Sequence, residues 1–446
     1  MTRKNVLFIS YMFPPVGGSG VQRALKFVKY LPEYGLDPIV LTVKDINYSI
    51  RDYSLLVDID TGIKIVRTES ADPHRLSAFL FSGVSSDRTG SKVVKNQRFT
   101  EGSLSLRAFR CVRDIIAVPD TVVGWIPFAY RAGLRAIREG GVDVILATFG
   151  PASSTLVAWL LSKKTGIPYV LDFRDPWIGG YAGQKFPTML HLAVNIRLEG
   201  KVVKGASALT VYGDILARSF KERYPGFAGP IEELTNGFDP ADMDGVVAKE
   251  RLGGRSRIVY MGSLYGFYDD NLRTFLSAMR LLPDSLRCSL EVVFVGRSSL
   301  QFSEEVAKAG LEKQITFHSY MPHIEALGYL KSADAGLLFV PKGDRTIVTG
   351  KVFEYLMVGC PILACIEPSG ACADVLRRAR CADWIVPADD AQALAKAIMS
   401  LASAGWPRPS SSDIEQFSRR AITKRLARIL CDASNARSRD LKPTVE

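Results

Sequence analysis

The sequence VLFISYMFPPVGGSGVQRALKFVKYL, residues 6–31, joins a short apolar run, a glycine-rich loop and a helical pattern. The run Val6–Ser10 has the length and composition of a buried strand, and residues 21–31 repeat apolar side chains at the helical period. Strand, loop and helix in this order are the first half of a βαβ unit. The stretch therefore predicts an α/β domain built on a parallel sheet.

The same alternation continues along the chain in two blocks. Further strands of the first block are predicted at 38–43, 63–67, 142–148, 169–173 and 208–211. The strands of the second block are predicted at 258–261, 290–295, 315–317, 335–339, 362–364 and 384–386. Between the blocks the apolar runs stop and the chain is rich in Asp, Gly and Lys. The pattern predicts two Rossmann-like parallel-sheet domains that face each other across a cleft, which is the expected active site.

The predicted boundaries follow from this break. They are 1–235 for the first domain, 236–256 for the linker, 257–411 for the second domain, 412–432 for a C-terminal helix and 433–446 for a tail. Residues 70–116 interrupt the first block with a Gly/Ser-rich, basic segment, which is interpreted as an insertion.

Composition excludes several classes of protein. Of 446 residues, 47% are hydrophobic and 23% charged, as in soluble globular chains, so a disordered, collagenous or fibrous protein is excluded. The seven cysteines form no CxxC pair, which favours reduced thiols over a zinc site. The first apolar run is too short for a signal peptide, and no run reaches the roughly 20 residues of a membrane-spanning helix. A cytoplasmic location is therefore expected, with contact to a membrane surface still allowed.

The net charge of +11 is concentrated in two segments. Residues 88–113 carry seven basic groups against one acidic group, and residues 419–442 carry eight against two. Residues 1–235 hold a net +9 and the rest of the chain only +2. The charge is thus a property of two segments and of the first domain.

The first basic segment contains an amphipathic pattern. Over residues 104–116, Arg107, Arg110 and Arg113 lie opposite an apolar face. Such a helix either lies on anionic lipid or packs its apolar face on the domain core. Nucleic acid is disfavoured as a partner, because no aromatic–basic interleaving, zinc finger or helix-turn-helix pattern is present.

The glycine-rich loop is the first candidate ligand site. Gly17 and Gly18 precede a helix start, where backbone N–H groups can approach an anion. The loop has neither the GxGxxG nor the GxxxxGK[ST] spacing. The sequence is consistent with two interpretations of this segment, a ligand-binding loop and a plain flexible turn.

Three charged residues lie at the end of the predicted strand at 169–173 or directly after it. Asp172, Arg174 and Asp175 stand at the carboxyl end of a buried strand, where side chains face the ligand crevice of such a sheet. They are candidates for catalysis, and the alternative is a structural Arg–Asp pair that fixes the loop.

The sequence GKVFEYLMVGCP, residues 350–361, is the strongest candidate in the second domain. Lys351 and Glu354 are three apart and so share one helix face, with Gly350 at the helix start. A carboxylate there can accept from two sugar hydroxyls, and Lys351 with the helix N-terminus suits a diphosphate. The alternative is an ordinary ion pair on a solvated face.

The chain resembles a family-4 retaining glycosyltransferase of the GT-B fold (glycosyl transferases group 1 type) over nearly its full length. The segments that carry the resemblance are Pro14–Arg23, Pro119–Asp120 with Trp125, Asp172–Trp177, Asn236–Asp239, Tyr260–Tyr265 and Lys351–Pro361. The resemblance implies that the first domain handles the acceptor and the second a nucleotide-sugar, that Glu354 holds the donor ribose, and that transfer retains anomeric configuration without a metal or other cofactor. It also implies that the C-terminal helix returns to the first domain.

The resemblance extends the donor-binding set to Asn236, Ser263 and Arg345. Thr346 occupies the position of the first of the family's paired glutamates, and Arg345 and Lys351 are candidates to replace cations that the family carries after the first strand of this domain. The predicted function is transfer of a sugar, as by a hexosyltransferase, from a UDP-sugar to a lipid-linked glycan in cell-surface polysaccharide biosynthesis, with peripheral association at the inner face of the cell membrane.

Two other functions are open at the level of the sequence. One is a non-catalytic nucleotide-sugar-binding or scaffolding relative, and the other is a GT-B nucleotide-sugar epimerase. The four histidines, His74, His191, His318 and His323, match no metal-ligand spacing and are interpreted as structural or surface residues.

Overall fold

The computed structural model describes residues 3–17, 19–44, 51–71, 118–179, 186–251, 253–264, 268–298, 302–408 and 413–440. The chain folds as two units. Unit 1 takes its described residues from Met1–Val211, Ala217–Glu232 and Lys424–Glu446, and unit 2 from Tyr212–Leu216 and Glu233–Thr423.

Unit 1 is built on a seven-stranded sheet. Its strands β1 to β7 are Lys4–Ile9, Leu36–Val43, Lys64–Thr68, Val142–Thr148, Tyr169–Phe173, Ala208–Val211 and Ile231–Glu233. The order across the sheet is β3-β2-β1-β4-β5-β6-β7, and the pairings from β3 to β6 are parallel. Strands β5 and β6 are buried at every residue, as expected for the centre of a parallel sheet.

Helices connect these strands. The described helices up to residue 223, α1 to α5, are Ser19–Tyr30, Ile126–Gly140, Ala152–Thr165, Met189–Lys204 and Asp214–Arg223. Short 3-10 helices cover Leu31–Tyr34, Tyr53–Asp58 and Val123–Trp125. Helix α1 buries Val21, Leu25 and Val28, which recur at the helical period predicted for residues 21–31.

Unit 2 is built on a six-stranded sheet. Its strands β8 to β13 are Ser256–Met261, Leu290–Val295, Ile315–His318, Ala335–Phe339, Ile362–Cys365 and Ile385–Val386. The order is β10-β9-β8-β11-β12-β13, and every pairing is parallel. This confirms the two parallel α/β sheets that the sequence predicts.

The helices of the second half follow the same alternation. The described helices α6 to α13 are Asp269–Leu281, Asp284–Cys288, Phe302–Ala309, His323–Lys331, Gly350–Val358, Ala371–Arg378, Ala391–Ser403 and Arg419–Asp440. Short 3-10 helices cover Pro240–Met243 and Glu415–Phe417. A cluster of buried apolar side chains, including Tyr260, Phe275 and Phe294, joins the sheet to its helices.

Strand β7 and helix α13 differ most from the sequence prediction, whereas the predicted strands differ by at most two residues at either end. Strand β7 has no counterpart in that prediction, because its three residues are only half-buried and form no apolar run. Helix α13 begins at Arg419, not at residue 412, because the Ser418 hydroxyl accepts from the N–H of Ala421 at 3.1 Å and caps the helix there.

Several sequence predictions lie outside the described residues. They are the basic segment 88–113, the amphipathic pattern over 104–116, Gly18, His74 and Cys111. The six described cysteines are free thiols. Within the part of the chain that the structure describes, no helix has the length and apolar character needed to cross a membrane.

Candidate functional site

In each sheet the strand order reverses at one point, and loops there leave a crevice at the carboxyl ends of the strands. In unit 1 this point lies between β1 and β4, and in unit 2 it lies between β8 and β11. The loop after β8 begins at Gly262, and α10 follows the loop after β11. The strongest sequence candidates of unit 2 therefore stand at the position where such sheets bind ligands.

Lys351, in the first turn of α10, is enclosed by residues at and beyond the end of β8. Its Nζ donates to the Tyr260 hydroxyl at 2.8 Å and lies 4.6 Å from the Tyr260 ring centroid and 5.0 Å from that of Tyr268. A Cβ added at Gly262 would lie 2.1 Å from Lys351 Cε, and the φ of this glycine is +128°. Only glycine fits there. We call Tyr260, Gly262 and Tyr268 the lysine cage.

The cage changes the acidity of the lysine. Burial lowers the pKa of Lys351 to about 8, and the nearby Glu354 carboxylate opposes this effect by favouring the charged form. The ammonium is thus mostly protonated at neutral pH, with aromatic faces on two sides. Because burial removes water from the Lys351 ammonium, this cation is well suited to bind an anion.

The N-terminus of α10 adds to this attraction. Thr349 caps the helix, and its hydroxyl accepts from the N–H of Lys351 at 3.2 Å. The positive end of the helix dipole, the exposed Gly350 and the Lys351 ammonium are therefore close in sequence and in space. Together they can hold a phosphate or diphosphate group.

Glu354 lies one turn further along α10 and has a partner that the sequence does not predict. Its Oε1 lies 2.9 Å from Nε2 of His323, the first residue of α9. The Glu354 side chain is 29% exposed, so solvent or a ligand can reach it. The sequence pattern indicates only a structural or surface role for His323. Its position at the start of the helix that follows β10 is the sequence feature that could have pointed to this contact.

The loop before α10 is fixed by one carboxylate. Asp344 is 7% exposed, and its Oδ1 accepts from the N–H groups of Thr346 at 2.8 Å and Ile347 at 3.1 Å. The Tyr212 hydroxyl donates to the carbonyl of Thr346 at 2.9 Å. Thr346, which stands where the resemblance implies a glutamate, therefore belongs to a braced loop.

The remaining predicted donor residues have different surroundings. Arg345 is 63% exposed, with its guanidinium 3.9 Å from Glu367, and can move toward an anion. Ser263 directly follows Gly262 of the cage, and its carbonyl accepts from the Tyr260 hydroxyl at 3.4 Å. Asn236 is half-buried, in a segment whose next residues pack on the backbone of Phe417.

In unit 1, Asp172 forms a buried ion pair. Both side chains are at most 1% exposed, and Arg23 donates to the two carboxylate oxygens at 2.8 and 2.6 Å. The hydroxyls of Thr210 and Thr148 donate to the same carboxylate at 2.7 and 3.3 Å. Burial alone raises the pKa of Asp172, but Arg23 and the hydroxyls hold it below its usual value. This carboxylate is enclosed by its own donors.

Arg174 and Asp175 lie nearer the surface. The Arg174 guanidinium donates to the carbonyls of Phe149 at 3.1 Å and Gly150 at 3.3 Å and is 18% exposed. Asp175 is 48% exposed, and burial raises its pKa while Arg174 opposes the shift. A Cβ added at Gly20, the second residue of α1, would lie 1.8 Å from the Arg174 guanidinium. The absence of a side chain at Gly20 therefore makes room for Arg174. Gly17 is buried in the loop before α1, and Gly18 lies outside the described residues.

Two parallel α/β sheets of seven and six strands are the architecture of the GT-B glycosyltransferases. Residues 255–404, which include the lysine cage and Glu354, match the family model described as Glycosyl transferases group 1. No sequence among curated proteins matches this chain. The family match and the fold together support a glycosyltransferase.

Solved structures show the same fold at low sequence identity. The α,α-trehalose 6-phosphate synthase of Burkholderia multivorans has a TM-score of 0.62 and 12% identity, with 100% of each chain covered. A Rickettsia africae glycosyltransferase has a TM-score of 0.61 and 11% identity, covering 97% of this chain and 99% of its own. The Anabaena protein HepE, in complex with UDP and glucose, has a TM-score of 0.51 and 12% identity, with 98% of each chain covered.

Proposed function

We propose that this protein transfers a sugar from a UDP-sugar to a lipid-linked glycan, with retention of anomeric configuration. The observation that carries the proposal is the pair Lys351 and Glu354 on the first turns of α10, inside the residues that match the glycosyltransferase family model. A cation at a helix N-terminus and an accessible carboxylate one turn away fit the two polar parts of a nucleoside diphosphate.

The donor site consists of residues of unit 2. Lys351 and the N-terminus of α10 bind the diphosphate, and Glu354 accepts from the ribose hydroxyls with its carboxylate oriented by His323. Arg345, exposed on the braced loop, supplies a second cation. Ser263, Gly350 and Asn236 complete the set that the resemblance implies.

The acceptor site consists of residues of unit 1. Arg174 and the half-exposed Asp175 orient the acceptor or stabilise the departing phosphate, with Gly17 and Gly18 close to the reacting sugar. Asp172 acts as a positioning residue, because its carboxylate is saturated by Arg23 and two hydroxyls. No protein nucleophile is proposed.

The charge distribution supports a membrane-associated acceptor. Residues 1–235 carry a net +9, whereas the remainder of the chain carries +2. The anionic inner face of the cell membrane, where a lipid-linked substrate lies, attracts a basic unit. Each basic group near the membrane surface contributes about 1 kcal/mol to this binding. The proposed role is therefore a peripheral cytoplasmic enzyme of cell-surface polysaccharide biosynthesis.

A product assay tests the transfer. The protein is incubated with radiolabelled UDP-sugars and a panel of lipid-linked and free glycans, and the anomeric configuration of the product is determined by NMR. Sugar transferred to a lipid-linked glycan supports the proposal. Absence of any product would contradict the proposal in favour of a non-catalytic relative, and an epimerised UDP-sugar as the sole product would contradict it in favour of an epimerase. The family match favours neither alternative.

Liposome flotation tests the membrane part. Recovery with anionic vesicles should exceed recovery with neutral vesicles and should fall when salt is raised from 0.1 M to 1 M, because the Debye length shortens from about 10 Å to about 3 Å. Replacing Arg107, Arg110 and Arg113 by Ala should reduce it, whereas Lys396→Ala, in the nearly neutral part of the chain, serves as the control. Equal recovery under all conditions contradicts membrane association.

A further inference from the structure

Unit 1 contains a pocket that the proposed donor and catalytic residues do not use. It has a volume of about 330 Å³ and lies at the carboxyl ends of β1, β2 and β3. Its apolar lining includes Tyr11, Phe13, Val16, Val43 and Leu56. The volume is at the lower end of the range of small-molecule sites and suits one compact group.

Three basic side chains complete the lining of this pocket, which we call the β1–β3 pocket. They are Lys44 at the end of β2, Arg51, and Arg67 in β3, and all three are exposed. No carboxylate belongs to the described lining residues. Glu69, which is not among the lining residues, lies 2.9 Å from Lys44. The pocket thus combines an apolar interior with a cationic edge.

Hydrogen bonds to backbone carbonyls hold the walls of the pocket in place. Arg67 donates to the carbonyl of Pro14 at 2.6 Å, and the N–H of Asp52 donates to the carbonyl of Pro15 at 2.9 Å. Val16 and Arg51 also pair through their backbones in an isolated antiparallel β-bridge. These contacts fasten the loop after β1 to the segment before β3, so the pocket is formed before any ligand arrives.

We propose that the β1–β3 pocket binds a phosphate group together with the apolar chain attached to it, as at the lipid-phosphate end of an acceptor. This inference rests on the proposed function, in which unit 1 binds a lipid-linked glycan. Guanidinium and ammonium groups bind phosphate oxygens, whereas the apolar lining offers few partners to sugar hydroxyls, which lose hydration when buried. The chain occupies the interior and the phosphate lies at the edge.

Three small probes separate the parts of this ligand. Octyl phosphate carries both the anion and the chain, octyl glucoside carries only the chain, and glucose 1-phosphate carries only the anion. In calorimetric titrations below the micelle concentration, octyl phosphate should bind at least about tenfold more tightly than either of the others. Equal binding of glucose 1-phosphate would overturn the lipid part of the proposal and identify a site for a free sugar phosphate.

Matched variants locate the binding. Lys44→Ala with Arg51→Ala should weaken octyl phosphate about tenfold or more, because two charged contacts are lost. Lys64→Ala, an exposed β3 lysine outside the lining, is the control for charge. Leu56→Ala should weaken octyl phosphate about threefold by removing apolar contact, whereas Val57→Ala, 89% exposed, should have no effect. Unchanged affinity in both pocket variants would overturn the proposal.

UDP binding, measured on the same samples, separates this inference from the proposed function. The pocket variants should bind UDP as tightly as the wild type, because none of their residues belongs to the donor site. A wild type that binds UDP but not octyl phosphate overturns the pocket proposal alone. Octyl phosphate binding without UDP binding upholds the pocket and contradicts the donor site.

Discussion

Raising the pH should weaken the binding of UDP, because Lys351 loses its proton more readily than an ordinary lysine. Burial in the lysine cage lowers its pKa to about 8 from a usual value of 10.5. With this pKa, the protonated fraction falls from about 0.9 at pH 7 to about 0.1 at pH 9, a tenfold change worth about 1.4 kcal/mol. The dissociation constant for UDP should therefore rise by up to about tenfold between pH 7 and pH 9.

The Lys351→Met variant isolates this effect. Methionine keeps an unbranched side chain beside Tyr260 and Tyr268 but carries no charge, so UDP affinity at pH 7 should fall about 10- to 100-fold. The remaining affinity should be nearly independent of pH between 7 and 9. Isothermal titration calorimetry at several pH values measures both quantities, with Lys396→Met, an exposed lysine of α12, as the control.

As the pH rises, the free energy of unfolding should increase while the affinity for UDP decreases. The pKa of Lys351 is lower in the folded protein than in the unfolded chain, so between the two values the unfolded state binds the additional proton. The charged lysine thus lowers stability at pH 7, and this penalty disappears as the pH rises toward 10.5. Lys351→Met should raise the free energy of unfolding by about 1 kcal/mol at pH 7. The same pH slope of UDP affinity in wild type and Lys351→Met would show that the protonation of Lys351 does not control UDP binding.

Three further predictions concern other parts of the proposed sites. A double-mutant cycle of Glu354→Ala and His323→Ala should give a coupling energy for UDP binding of about 0.5–1.5 kcal/mol, and a coupling near zero would show that the histidine does not position the carboxylate. Asp172→Asn should lower the free energy of unfolding by about 3–5 kcal/mol in denaturant titrations, because it removes the negative charge that pairs with the buried Arg23, whereas Asp175→Asn should lower it by less than about 0.5 kcal/mol and reduce turnover. Gly20→Ala should reduce kcat with UDP affinity unchanged, because its Cβ takes the space of the guanidinium that follows β5; wild-type kcat would remove that guanidinium from the proposed mechanism.

The ion pair of Asp172 also has a pH dependence that can be measured. Its pKa is held below the usual value, so the pair contributes stability above the unfolded pKa of about 4 and loses it as the pH falls further. Acid titration of the free energy of unfolding should show this loss in the wild type and a smaller one in Asp172→Asn. Parallel curves for the two proteins would indicate that the pair does not contribute in this way.

Twelve of the thirteen described strands follow from the sequence alone because their signal is local. Strands β4, β5 and β6 begin and end at the predicted residues, since each is a short apolar run that is buried on both faces of a parallel sheet. Strand β7 and the start of α13 differ because a half-buried strand of three residues has no pattern of its own, and the cap at Ser418 is set by one side-chain hydrogen bond.

Lys351 and Glu354 can be found in the sequence because three residues of one helix bring them to one face, and this spacing is visible without a fold. The lysine cage, the partner of Glu354 and the partner of Asp172 cannot, since they join residues that are far apart in the chain: 31 positions from His323 to Glu354 and 149 from Arg23 to Asp172. Local periodicity fixes which elements form, but the burial that lowers the pKa of Lys351 and the pairing that encloses Asp172 exist only once the strands have assembled. The two sheets and the shared helix face of Lys351 and Glu354 thus follow from local sequence, whereas the enclosure of Asp172 and the accessibility of Glu354 follow only from the folded chain, because burial and long-range hydrogen bonds have no local signature.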